Sequence, residues 1–169
     1  MGPVARRTAR APAPAGFTLI EVLVALVILA IGASIAVVAY DGNDRDQAAR
    51  EARRFASALE HAASRAQVRA ETLGASAEGN VWRFWRRDPD TGHWLPVTDD
   101  DVLMVHALPA AMTLTPATYG GQQLDARAIV PLRPTGRNEP FSFVLEARDA
   151  RVVLAADPLN RVALTVTRP

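Results

Sequence analysis

Residues 15–40 read AGFTLIEVLVALVILAIGASIAVVAY, and the interpretation of this stretch decides the rest of the chain. From Phe17 to Tyr40 the only ionisable side chains are those of Glu21 and Tyr40. As a helix the segment would extend about 36 Å at 1.5 Å per residue, enough to cross a bilayer. Arg6, Arg7 and Arg10 precede it with no acid among them, and Asp41, Asp44 and Asp46 follow it. The positive-inside rule then places the N-terminus in the cytoplasm and the remainder of the chain on the far side of the membrane.

Three accounts of the stretch compete. A cleaved secretory signal needs a basic start, an apolar core and a small-x-small cleavage site, which Ala36 to Ala39 would supply. The apolar run from Val22 to Ala39 has 18 residues, longer than such a core, and it opens directly after an acid. A plain single-pass anchor matches the length but leaves Glu21 without a role. The third account gives it one. A carboxylate near the end of a spanning helix costs on the order of a few kcal/mol unless it is paired or lies at the interface, so an acid here marks a function. Its partner must be a cation, and the run contains none. Proteolysis between Gly16 and Phe17 would create one, an α-ammonium four residues ahead of Glu21.

Gly16, Phe17, Thr18, Leu19 and Glu21 fall in order at the head of an apolar helix, behind a basic leader. This pattern resembles the class III signal of type IV pilins and type II secretion pseudopilins. The resemblance implies that a prepilin peptidase in the membrane cuts after Gly16 on the cytoplasmic side and methylates the new N-terminus at Phe17. It further implies that Glu21 pairs with a neighbouring subunit's N-terminus during assembly. The sequence departs from the family pattern in two ways. Its sixteen-residue leader is longer than usual, and the apolar run carries no proline, so any bend would fall at Gly32 or at the DGND of Asp41–Asp44.

Beyond that tetrapeptide Ala48, Ala52, Phe55, Leu59, Ala62, Ala66, Ala70 and Leu73 recur at three- and four-residue spacing, with Arg50, Arg53, Arg54, Glu60, Arg65 and Glu71 largely on other faces. The spacing predicts an amphipathic helix ending at Gly74 as its C-cap, with a small apolar face suited to packing on a sheet. The pattern then changes to short alternating runs separated by turn residues. VWRFWRR and HWLPV around DPDTG read as a hairpin. DVLMVHAL, AMTLTP, ARAIVPL, FSFVLEA, ARVVLAA and RVALTVT are further strand candidates, the last three forming a meander through turns at RDA and DPLN. The 169 residues, 49% of them hydrophobic, suit one modest domain plus the N-terminal appendage.

The segment Ala128–Leu164 is similar to the C-terminal pattern of the GspH/FimT family, in which a strand ends in a Pro-x-Gly turn, here Pro134 and Gly136, and a final hairpin follows. Asn160 stands where that family more often has glycine, a modest departure because Asn tolerates left-handed backbone. Together the two resemblances imply an α+β, type IV pilin-like fold in four parts: a cytoplasmic leader (1–16), a transmembrane assembly helix (17–40), an amphipathic helix packed on the domain (41–74) and a periplasmic antiparallel β domain (75–169). The function they imply is that of a minor pseudopilin of the type II secretion system, a structural subunit near the tip of the pseudopilus, held single-pass in the inner membrane. Its implied partners are other pseudopilins and the prepilin peptidase. The alternative is a FimT-like minor pilin that binds DNA for natural transformation.

Chemistry of other kinds finds little support. With no cysteine there is no disulfide frame, thiolate metal site or Cys nucleophile. His61, His93 and His106 lack the spacing that puts two imidazoles on one helical face around zinc, and no GxSxG, P-loop or GxGxxG occurs. The run Asp99–Asp101 raises calcium, since hard cations need clustered oxygens, but three adjacent acids in a loop are more often simply solvated. WRFWRR combines the aromatic and basic side chains of single-strand binders. In a strand, though, Trp82 and Phe84 point to one side, with Arg83, Trp85 and Arg87 on the other, which is the pattern of a buried face and an exposed basic one. Nor is the chain after Gly16 basic, since 16 arginines (19 less three in the leader) face 18 acids, a net of −2. No enzymatic activity, cofactor, metal, small-molecule substrate or nucleic acid is expected.

Overall fold

The computed structural model describes residues 19–167, with the side chains of residues 32–43 outside that description. The chain divides into two compact units, Met1–Ala39 and Tyr40–Pro169, and helix α1 (Leu19–Arg69) supplies residues to both. In the first unit every described side chain is exposed, with Leu19, Ile20, Leu26 and Leu29 between 61% and 84% accessible. A helix that is apolar all round has no stable surface in water. Among the described residues no helix is long and apolar enough to cross a membrane; Phe17, Thr18 and the side chains of 32–40, which complete the expected span, lie outside the description.

In the second unit α1 is followed by β1 (Leu73–Glu78), β2 (Val81–Arg87) and β3 (Trp94–Pro96). A 3-10 turn at Asp101–Leu103 and the short β4 (His106–Ala107) lead to β5 (Thr113–Tyr119), β6 (Gln122–Gln123) and β7 (Val130–Leu132). The meander β8 (Phe141–Ala147), β9 (Ala150–Ala156) and β10 (Val162–Thr167) completes the domain. Two antiparallel sheets result. The first has the order β3-β2-β1-β7 with β4 also on β2, and the second has the order β10-β9-β8-β5-β6.

The predicted helical face is the one that is buried. Ala48, Ala52, Phe55, Leu59, Ala62 and Ala66 are all 0–1% exposed. Their small side chains let the backbone approach closely, and Phe55 fills the space between the sheets. Its ring lies 5.3 Å from Trp82 and 6.2 Å from Phe84 of the first sheet, and meets Phe143 of the second edge-on at 5.0 Å. Alternation along the strands provides the rest of the core, with Leu73, Ala75 and Ala77 inward on β1 and Phe141, Phe143 and Leu145 inward on β8.

Several boundaries differ from the sequence expectation. The helix stops at Arg69, not at Gly74. Ala70 takes the left-handed conformation (φ 52°), its N–H donates to the Gln67 carbonyl at 3.4 Å, and the Glu71 N–H reaches back to the Ala66 carbonyl at 3.1 Å. This is a Schellman closure with alanine where glycine is usual. Gly74 lies inside β1 for a different reason: a Cβ there would sit 2.5 Å from Ile129 Cγ2 and 2.9 Å from Trp94 Cζ3. LGASAE became β1 although its residues are weak strand formers, because it pairs on both sides, with β2 and with β7. DVLMVHAL is mostly a 3-10 turn and loop, with only His106 and Ala107 paired. The final meander matches the expected runs closely, and Asn160 does adopt the left-handed geometry (φ 64°) in the DPLN turn, where its Oδ1 also accepts from Asn138 Nδ2 at 2.7 Å.

Candidate assembly site

Glu21 lies in the first turn of the described part of α1 and is exposed. Its neighbours in sequence, Leu19, Ile20, Val22 and Leu23, are apolar and exposed as well. No Arg, Lys or His occurs among the described residues of this unit, so a full counter-charge has to come from beyond them. Gly16 and Phe17, the expected processing residues, lie outside the described residues.

Part of the charge of the second unit is paired within it, most densely around Arg65. Arg65 is buried on α1 and donates from Nε to Glu71 at 2.9 Å, from Nη1 to Asp100 at 3.0 Å and from Nη2 to both oxygens of Asp99 at 2.8 and 3.0 Å. Burial by itself would lower the guanidinium pKa, but the bonds to Glu71, Asp99 and Asp100 outweigh it and hold Arg65 above its ordinary value. Arg65, then Arg69 at 2.9 Å, draws the Asp99 carboxyl down to about 2. For Asp100 burial acts upward, yet His61 at 3.0 Å together with Arg65 leaves it below the usual carboxylate range. Asp100 Oδ1 also accepts from the Val102 N–H and so caps the 3-10 turn.

This arrangement accounts for the acidic run that suggested calcium. Two of its three carboxylates are arginine partners that fasten the loop after β3 to α1. Among the described residues no group of three or more His, Asp or Glu is placed to hold a metal ion. The histidines are separate: His61 meets Asp100, and His106 meets Glu51 at 2.9 Å and packs on Trp82 at 5.0 Å. His93 lies in the β2–β3 turn, where its backbone N–H faces Thr91 Oγ1 at 3.4 Å. On β2 the expected faces are observed, with Trp82 and Phe84 buried and Arg83, Arg86 and Arg87 exposed. Two arginines of the C-terminal meander have acidic partners, Arg161 with Asp157 at 2.7 Å and Arg151 with Glu146 at 3.9 Å. Sequence reasoning missed the Arg65 cluster; the one available signal was an arginine next to Ala66 on the otherwise apolar side of the amphipathic helix.

Comparison with known proteins bears on both units. A family model described as Prokaryotic N-terminal methylation motif matches residues 13–37, which contain Gly16, Phe17 and Glu21. A second, Type II transport protein GspH, matches residues 51–160. The chain belongs to the GspH family. The Type II secretion system protein H of Aeromonas hydrophila is 25% identical over 168 residues, covering 88% of this GspH-family chain and 92% of that protein. Its counterpart from Pectobacterium carotovorum subsp. carotovorum is 29% identical over 154 residues, 79% and 82% of the two chains. The match to the protein of the same name from Escherichia coli (strain K12) is 33% identical over 89 residues and spans 53% of that relative. Among solved structures, the minor pseudopilin EpsH from the Type 2 Secretion System of Vibrio cholerae aligns with a TM-score of 0.56 at 15% identity, over 73% of this chain and 96% of that one. The solution structure of E. coli GspH aligns at 0.52 and 20% identity, over 74% and 94%. At these identities the likeness bears on the fold, an N-terminal helix followed by antiparallel sheets in the α+β, pilin-like manner.

Proposed function

We propose that this GspH-family chain is a minor pseudopilin, a structural subunit of the periplasmic pseudopilus of a type II secretion system, the machine that exports folded proteins across the outer membrane. Its work is assembly, not catalysis. Prepilin peptidase cuts between Gly16 and Phe17 and methylates Phe17; the apolar helix then holds the subunit single-pass in the inner membrane with the β domain in the periplasm. Glu21 docks on a neighbouring subunit's N-terminal ammonium, and the β domain makes lateral contacts with other pseudopilins near the tip.

The observation that carries this proposal is the occurrence, on one chain, of the methylation-motif match over residues 13–37 and the GspH match over residues 51–160. Glu21 supports it physically: a lone acid in an exposed apolar helix needs an external cation. The DNA-uptake alternative is disfavoured by the net of −2 after Gly16 and by the acidic partners of Arg151 and Arg161.

Intact-mass measurement of the chain co-expressed with a prepilin peptidase tests the first step. The expected product begins at methylated Phe17. A product beginning near Ala36–Ala39, or an uncleaved chain, contradicts the proposed processing.

A further inference from the structure

On the outward face of the first sheet, β2 presents Arg83, Trp85 and Arg87 in line, and the pairing register sets Pro96 beside Trp85 and Trp94 beside Arg87. Gly74 lies between Trp85 and Pro131 on the same face, and the missing Cβ lets Ile129 and the Trp94 ring close over it. A groove of about 220 Å³ runs along this face, lined by Val81, Arg83, Trp85, Arg127 and Ile129 among others. The three arginines are exposed while both indoles are half-buried. Arg127 donates to Glu78 at 2.8 Å and Arg87 to the Gly92 carbonyl at 3.3 Å, whereas Arg83 makes no ion pair among the described residues. The outward side of the second sheet differs, with Ser142, Val144, Val153 and Thr165 uncharged and Arg151 matched by Glu146.

We propose that this face docks a protein surface bearing two carboxylates about 13 Å apart on either side of an apolar side chain, the spacing of Arg83 and Arg87 across Trp85 at about 3.3 Å per residue. Charge complementarity carries the choice of partner: three arginines and one glutamate leave the face positive in a chain whose net charge after Gly16 is −2. Aromatic and basic side chains together also suit single-stranded nucleic acid, which stacks its bases on free ring faces. The indoles here are half-buried and held in place. Trp94 lies against Gly74 with the Arg87 guanidinium 6.0 Å from its ring centroid, and the Trp85 Nε1–H is bound to Ser76 Oγ at 2.8 Å. The fully exposed groups of the face are the guanidiniums, which suit carboxylates. The inference rests on the chain working as an assembled subunit that makes lateral contacts.

The full chain with p-benzoylphenylalanine in place of Val81, expressed within its own secretion system, provides the test. Ultraviolet irradiation is expected to give an adduct whose partner peptide, mapped by mass spectrometry, carries acidic residues. Arg83→Glu with Arg87→Glu is expected to reduce that adduct at least ~tenfold, and Arg83→Lys with Arg87→Lys to keep it within ~twofold, as for complementary charges across an interface. Reversing the mapped acids of the partner, which leaves this chain untouched, is expected to give the same loss and to restore the adduct with the Glu variant. An adduct on a peptide without acids, an adduct indifferent to charge reversal on both sides, or an adduct on nucleic acid overturns the proposal. So does an incorporated subunit that gives no adduct, which leaves the assembly function standing; a chain that is processed and folded but never incorporated overturns both.

Discussion

In the first unit Leu19, Ile20 and Leu29 are 68–84% exposed, whereas in the second Phe55, Phe143 and Leu154 are 0–1% exposed. The side chains are of the same kind; what differs is whether the chain itself supplies them with partners. The helix, both sheets and the Arg65 cluster satisfy the second unit from within, so its fold depends on its own residues. For the described residues of the first unit neither the apolar surface nor the single carboxylate is satisfied, and both have to be met by something else. The unmet need for outside contacts is therefore greatest in the N-terminal segment, and changes in the core of the second unit are expected to alter stability without altering processing.

The largest effect is expected where one side chain joins helix to both sheets. Phe55→Ala leaves a cavity bordered by Trp82, Phe84 and Phe143 and is expected to destabilise the domain by about 3–5 kcal/mol. Denaturant unfolding measures it, and a loss under about 1 kcal/mol would mean that the sheets hold together without the helix.

Arg65→Ala comes next, at about 2–3 kcal/mol, because it leaves Glu71 and Asp100 partly buried without their cation. The cluster also predicts a pH dependence with a definite sign. The arginines hold the Asp99 carboxyl down at about 2 in the fold, below its ordinary value of 3.8, so its contribution is complete above about pH 4 and is lost as the pH falls toward 2. Melting curves between about pH 5 and about pH 2, a window that brackets the ordinary and the lowered carboxyl values, should show a steeper loss of stability for the parent than for Arg65→Ala. Parallel curves would place the acid sensitivity elsewhere.

A smaller pair of changes separates the two reasons a protein uses glycine. Gly74→Ala drives a methyl into Ile129 and Trp94 and is expected to cost about 1–2 kcal/mol. Ala70→Gly relieves a left-handed alanine and is expected to stabilise by up to about 1 kcal/mol, less the added freedom of the unfolded chain. Thermal unfolding of both variants checks the two signs; stabilisation by Gly74→Ala would contradict the assigned close approach.

Legibility in the sequence followed the range of the interaction. FSFVLEA and ARVVLAA were readable because β-branched and aromatic residues alternate between turns, a signal contained in a few neighbouring positions. LGASAE was not, since what makes it a strand is pairing with residues 81–86 and 130–132. The helix end was misplaced because glycine was credited with a cap that Ala70 forms. Glu21 stood out because a charge within an apolar run is anomalous on its own, whereas the role of Asp99 depends on Arg65, 34 positions away. Local grammar reports an unmet need more readily than a satisfied long-range pair.

That difference makes Glu21→Ala the most direct test. Expressed in place of the parent within a functioning secretion system, the variant is expected to begin at methylated Phe17, to melt at the parent temperature and to be recovered in the assembled pseudopilus at least ~tenfold less, as for loss of one partner of a desolvated charge pair. Incorporation and secretion at parental levels would contradict the claim that the lone carboxylate is the assembly contact.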